Sequence, residues 1–294
     1  MTEVRVLGPV EVWSQGRSID LGAAKRRAVL AALAVNLGTP VSAETIIDRV
    51  WDGHAPAEAR NVVYAHVSRI RRVLADATDA DRVPVVLERR SGGYAIRADP
   101  DRVDMHRFHR LVDRSRAIAL ADEERARLLR EAMRLWRGDP LTGLSGEWVG
   151  RLRESLRRQH VDAAVAWSQV ELRLGRHEEV ISTLRPLVAE YATVEPLTAA
   201  LMGALHFAGR SWEALDCYSA LRERLVEELG VEPGPRTQAL HQAILRGDRP
   251  WRAEISAAFS EVSSVEDTGD LRAALESLKD QVARAIEHLD QQAN

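Results

Sequence analysis

The sequence predicts a mostly α chain: an N-terminal winged helix-turn-helix of β-strands, three helices and a C-terminal hairpin, then an all-α, tetratricopeptide-like domain. Three observations lead there. Short strand-like runs, three helical periods and a glycine-tipped hairpin succeed one another within the first 100 residues. Beyond Asp99-Pro100 every periodic stretch is helical. Within that region Leu174-Gly175-Arg176 recurs as Ala208-Gly209-Arg210, a shift of 34 residues, which is the period of a tetratricopeptide helix pair.

Val4-Arg5-Val6-Leu7 and Val10-Glu11-Val12-Trp13 run apolar or alternate around Gly8-Pro9, and read as strands. After the turn Gln15-Gly16-Arg17, Ile19-Asp20-Leu21 reads as a third. From Ala24 the period becomes helical, with Val29, Leu30, Leu33 and Leu37 on one face and Gly38 as the stop. Ser42 is positioned to cap a second helix, with Thr45 at its third position and Ile46, Ile47, Val50 and Trp51 on the buried face. Asp52-Gly53-His54-Ala55-Pro56 breaks that helix. A third helix carries Ala59, Val63, Val67, Ile70 and Leu74 at spacings of four, four, three and four. Val85-Val86-Leu87 and Glu88-Arg89-Arg90 then pair with Tyr94-Ala95-Ile96-Arg97 across Ser91-Gly92-Gly93.

The domains are therefore placed at 1–98 and 104–248, with an acidic tail holding an amphipathic helix at 251–294. Helices are expected near 104–120, 122–136, 147–174, 177–192, 195–208, 211–229 and 235–246. Under the 34-residue shift Glu179 matches Glu213, and Val180, Ile181 and Leu184 match Ala214, Leu215 and Tyr218.

At 294 residues and 45% hydrophobic the chain can fill more than one core. No apolar run approaches the roughly 18 residues of a membrane span, and no secretory leader is evident, so a cytoplasmic, nucleoid-associated protein is expected, without a membrane partner. A single cysteine, Cys217, excludes an internal disulfide and a paired-cysteine zinc site, and reads as a packed thiol. The net charge of −3 conceals an asymmetry: residues 1–100 hold 14 basic and 12 acidic side chains, residues 251–294 hold 4 and 9. The basic excess is bunched, with four arginines and no acid from Arg60 to Arg72.

That bunching singles out the third helix. Opposite its apolar stripe lie Arg60, Asn61, Tyr64, Ser68, Arg69, Arg71 and Arg72, the polar and cationic groups a helix needs in a major groove. An ordinary solvated arginine face usually interleaves glutamate, and this one does not. Lys25, Arg26 and Arg27 oppose the macrodipole of the first helix, a mismatch that a phosphate at that terminus would relieve. Arg89 and Arg90 sit at the hairpin tip, whose glycines permit close approach to a surface and whose arginines suit a narrow minor groove.

Other constellations are poor. His106 and His109 are three apart on a helix, but no second pair joins them in sequence as a metal site. Asp122-Glu123-Glu124 is a favourable helix start, not a catalytic dyad. Trp136, Trp148, Trp167 and Trp212 read as helix-packing residues. No nucleophile–base pair stands out, so neither an enzyme nor a cofactor or metal is expected.

From about residue 4 to 248 the chain resembles the Streptomyces antibiotic regulatory protein family, an OmpR-type winged helix followed by a bacterial transcriptional activation domain. The resemblance rests on Ala24-Lys25-Arg26-Arg27, Ile46-Ile47-Asp48-Arg49-Val50-Trp51, Ala59-Arg60-Asn61-Val62-Val63 and His66-Val67-Ser68-Arg69-Ile70-Arg71-Arg72-Val73-Leu74. Gly93-Tyr94, Val103-Asp104-Met105-His106-Arg107-Phe108, Leu135-Trp136-Arg137-Gly138 and Glu228-Leu229-Gly230-Val231-Glu232-Pro233 extend it. It implies an activator that binds direct repeats beside a promoter, usually of an antibiotic biosynthetic cluster, with RNA polymerase holoenzyme as partner and self-association on DNA. By the family pattern Arg69 and Tyr64 lie nearest the bases, Arg71, Trp51 and Tyr94 touch phosphates, and Arg90 enters the minor groove. Many relatives carry a smaller polar residue at the position of Tyr64. The chain has no GxxxxGK[ST] and so is similar to the small members. A competing reading makes the helical repeats an effector or protein sensor, and the chain a repressor or co-regulator.

In the tail Leu275, Leu278, Val282, Ala285 and Leu289 step by three, four, three and four, broadened by Leu271 and Ile286. Such a helix, roughly twenty residues long, is unstable alone in water and needs a surface, in the same chain or a second copy.

Overall fold

The computed structural model describes residues 2–78 and 84–248. The expected tail helix lies outside them. Strands β1 (Thr2–Arg5), β2 (Glu11–Ser14) and β3 (Arg17–Ile19) form an antiparallel sheet in that order, with Val4 opposite Val12 and Val12 opposite Ile19. Helices α1 (Ala24–Ala34), α2 (Ala43–Trp51) and α3 (Ala59–Thr78) follow, then the hairpin of β4 (Val86–Arg90) and β5 (Gly93–Arg97). The rest is helical: α4 (Asp104–Ser115), α5 (Asp122–Met133), α6 (Glu147–Arg173), α7 (His177–Glu190), α8 (Glu195–Phe207), α9 (Ser211–Leu229) and α10 (Pro235–Leu245).

Strands β1 and β3 sit two residues earlier than the apolar runs suggest and β2 one later, because turn chemistry sets the register. Gln15 and Gly16 both have positive φ (51° and 79°), a two-residue turn that places Ser14 opposite Arg17. Val6, Leu7 and Leu21 leave the ladder and serve as core. The Ser42 hydroxyl accepts from the Thr45 N–H at 3.1 Å, the expected cap of α2. Helix α1 is buried along its whole second half, residues 28–34, rather than on one stripe. It is the central helix of the winged domain, flanked by α2, α3 and β5. Helix α4 ends at Ser115, short of 120, and the Arg125 guanidinium donates to the carbonyls of Ser115, Ala117 and Leu120 in the loop that replaces its last turn.

Two compact units divide between Glu190 and Tyr191. In the first, the winged helix and the helices after it share one apolar core, running from Val4, Leu30 and Ile70 to Phe108, Leu128 and Leu156. Buried Asp104, at the start of α4, ties them together. Its carboxylate accepts from the N–H groups of Val6 (2.8 and 3.0 Å) and Leu7 (3.0 Å), and from the Arg137 guanidinium at 3.3 Å. Arg137 also pairs with Glu11 on β2 at 2.9 Å, and its own N–H reaches the Leu7 carbonyl. Burial pushes the Asp104 carboxyl up, while these donors pull the other way.

The two turns related by the 34-residue shift close alike. The N–H groups of Leu174, Gly175 and Arg176 donate to the carbonyls of Val170, Leu172 and Glu171 in the first unit. Those of Ala208, Gly209 and Arg210 donate to Ala204, His206 and Leu205 in the second, and both glycines have φ +77°. Trp136, Trp148 and Trp167 pack as expected, with Trp136 stacked on His160 at 4.1 Å. Trp212 does not: it is 69% exposed.

Candidate nucleic-acid interface

Helix α3 turns Ala59, Val63, Val67, Ile70 and Leu74 into the core, each below 5% exposure. Arg60, Asn61, Tyr64, Ser68, Arg69, Arg71 and Arg72 all project to the exposed side. They differ in what holds them. Arg60 pairs with Glu44 of α2, whose carboxyl is held below its usual range by its own backbone N–H, then by Ser42 and the Arg60 charge. Asn61 donates to Glu58. The Arg71 Nε donates to the Leu87 carbonyl of β4 at 3.0 Å, fixing helix to wing, and the Tyr64 ring meets the Tyr94 ring edge-on at 6.3 Å. Ser68, Arg69 and Arg72 have no partner among the described residues, and neither does Arg89 on the wing; Arg90 pairs with Glu88 at 3.1 Å. Burial, and then the Arg26 charge, lower the His66 pKa, so this imidazole adds little positive charge to α3 near neutral pH.

The cations at the head of α1 have partners inside the chain. Lys25 donates to the Val50 carbonyl at the C-terminal end of α2 and lies over the Trp51 ring at 5.4 Å, where the helix dipole favours a cation. Arg26 donates to the Leu21 carbonyl and Arg27 to that of Gly22 at 2.8 Å. Loop and helix-end carbonyls therefore offset the dipole mismatch without a bound anion. Gly93 likewise serves the fold: at φ +150°, an added Cβ would stand 2.0 Å from the Val41 oxygen. That approach lets Tyr94 and Val41 exchange backbone hydrogen bonds of 2.9 and 2.8 Å, stitching the wing to the start of α2. Tyr94 itself is 8% exposed and Trp51 half-buried, so a phosphate would meet the rim of these residues, not their faces.

Two contacts not legible in the sequence tether α2 to the start of α6. The Asp52 carboxylate accepts from the Glu147 N–H at 2.8 Å, capping α6, and Arg49 lies over the Trp148 ring at 5.2 Å. Asp52 looks in sequence like part of a helix breaker; its αL geometry (φ 47°) is the signal of the turn, but nothing local marks its partner. His106 and His109 go to separate acceptors, the Ala34 carbonyl (2.9 Å) and the Gln159 side chain (2.7 Å). Among the described residues no group of three or more His, Cys, Asp or Glu is arranged to hold a metal, and no helix is long and apolar enough to cross a membrane.

The architecture is that of a winged-helix transcriptional regulator with an attached activator domain. The family description "Transcriptional regulatory protein, C terminal" matches residues 16–96, and "Bacterial transcriptional activator domain" matches 103–245. Regulatory protein DnrI of Streptomyces peucetius is 34% identical over 252 residues, 84% of this chain and 93% of that protein. Regulatory protein AfsR of Streptomyces coelicolor is 37% identical over 262 residues, which span 88% of this chain but only 26% of that longer protein. A solved structure of Mycobacterium tuberculosis EmbR in complex with a low affinity phosphopeptide matches with a TM-score of 0.78 at 31% identity, covering 90% of this chain and 71% of that one. The chain belongs to the Streptomyces antibiotic regulatory protein family, whose members are transcriptional regulators rather than enzymes.

Proposed function

We propose that the chain is a sequence-specific DNA-binding activator that occupies direct repeats near a promoter and brings RNA polymerase holoenzyme to it, for genes of an antibiotic biosynthetic cluster. Residues 1–98 read DNA and the helical region from 104 presents the surface for polymerase. The observation that carries this reading is the set of exposed arginines without a partner among the described residues, Arg69 and Arg72 on α3 and Arg89 on the wing. A guanidinium that has no ion pair to break meets a phosphate or a guanine edge at low cost. Arg69 with Tyr64 takes the base-reading role, Arg72 and Arg71 the adjacent phosphates, and Arg89 with Arg90 the minor groove.

Two measurements test it. Affinity for a two-repeat duplex should fall steeply as salt rises, because released counterions drive phosphate contact. A promoter footprint with and without polymerase should strengthen when polymerase is added. Protection that excludes polymerase would make the chain a repressor instead, and equal affinity for repeat and scrambled duplexes would remove sequence reading altogether.

A further inference from the structure

Five of the seven large hydrophobic side chains exposed among the described residues, Trp212, Val226, Leu229, Val231 and Leu245, lie on α9, α10 or their connection. These are the last described elements of a helical repeat, and the end of such a stack needs a covering helix with a polar outer side. Their arrangement on α9 is regular. Trp212, Leu215, Ser219, Arg222, Val226 and Leu229 step by three, four, three, four and three, a heptad seam. It is separate from the buried seam of Ala214, Leu221 and Leu225, which faces the unit's own core. Of the six, only Leu215 is even half-covered. The polar pair at its centre is already satisfied, Ser219 by the Leu215 carbonyl at 3.1 Å and Arg222 by a two-pronged pair with Glu232 at 2.6 Å.

We propose that this seam is the seat of the chain's own segment 271–289, packed along α9 as a capping helix. Three features choose this occupant. Leu271, Leu275, Leu278, Val282, Ala285 and Leu289 repeat the same alternation of threes and fours, so knobs of one helix fit holes of the other. The lengths agree: at 1.5 Å per residue, each seam spans about 25 Å. The chain also leaves the described unit beside the seam. The His206 Nε2–H donates to the Asp248 carbonyl at 2.8 Å while Nδ1 bonds the Ser211 hydroxyl at 2.8 Å, so the end of α10 lies next to the start of α9 and to Trp212. A connector over residues 249–270 can extend on the order of 70 Å, enough to reach either end of the seam. Tethering keeps the segment at high effective concentration against its seat.

Hydrogen exchange on the intact chain decides the matter. Amides of 271–289 should exchange roughly tenfold or more slowly than in a free peptide of that sequence, independent of protein concentration. Val226→Glu and, separately, Leu278→Glu should each abolish that protection while the amides of α8 keep theirs and the mass stays unchanged. Three results would overturn the proposal: peptide-like exchange in the native chain, protection that survives both variants, or protection that rises with concentration alongside a doubled mass, which would assign the seam to a second copy.

Discussion

Replacing Asp104 with alanine removes the acceptor for two buried backbone donors, the N–H groups of Val6 and Leu7. Both residues are 0% exposed, so their amides are shielded from bulk solvent in the native fold. At about 1–3 kcal/mol for each stranded donor, the loss is on the order of 4 kcal/mol. Arg137 adds little to this, because it keeps Glu11. Asparagine at the same position retains one acceptor oxygen and should cost about half as much. Against a typical total of roughly 5–15 kcal/mol, the alanine variant is folded but marginal. Urea denaturation of the intact chain, followed by circular dichroism, measures this as a lowered midpoint at unchanged slope. A midpoint for Asp104→Ala within error of the native chain would refute the reasoning, and so would an Asn variant as unstable as the Ala variant.

Other expectations follow from the same geometry. Arg69→Ala should weaken operator binding by about 1–3 kcal/mol and blur base preference, whereas Arg72→Ala should weaken operator and random DNA alike; parallel titrations on both duplexes distinguish them. Gly93→Ala forces a Cβ onto the Val41 oxygen at a φ that L-residues avoid, so thermal unfolding should come earlier, and an unchanged melting temperature would mean the wing is not stitched to α2. Burial pushes His160 from an ordinary 6.5 down to about 4. Between those values the unfolded chain takes up a proton that the native chain refuses, so stability is complete above about pH 6.5 and declines by up to ~3 kcal/mol as pH falls toward 4. His160→Phe should flatten that slope in denaturation curves recorded across the interval.

What could be read in advance was what short-range chemistry decides. The five apolar positions of α3 and the Ser42 cap follow from spacing alone, because a helix brings residues three and four apart together whatever surrounds it. The 34-residue echo announced two turns with one hydrogen-bond pattern. Strand positions slipped because register belongs to the Gln15-Gly16 turn rather than to the apolar run beside it. Lys25 looked like a cation in search of an anion because its acceptor, the Val50 carbonyl, is 25 residues away. Nothing local marks Asp104 as a tether, since the donors it serves lie 97 and 98 positions earlier. Trp212 has the composition of a packing residue and the exposure of a surface one, a distinction that only the neighbouring helices make.

The knot around Asp104 also bears on how such a protein could be recombined. A chimaera joined near residue 100 looks natural, since two family descriptions meet there. Yet the foreign helical part would have to bring an acid that fits the Val6 and Leu7 amides, an arginine that reaches Glu11, and a helix start that suits Asp52. A crossover after Glu190 severs none of these bonds. Exchange of DNA specificity between relatives is therefore expected to carry residues 2–190 as one inherited block, with variation in partner contact accumulating beyond it.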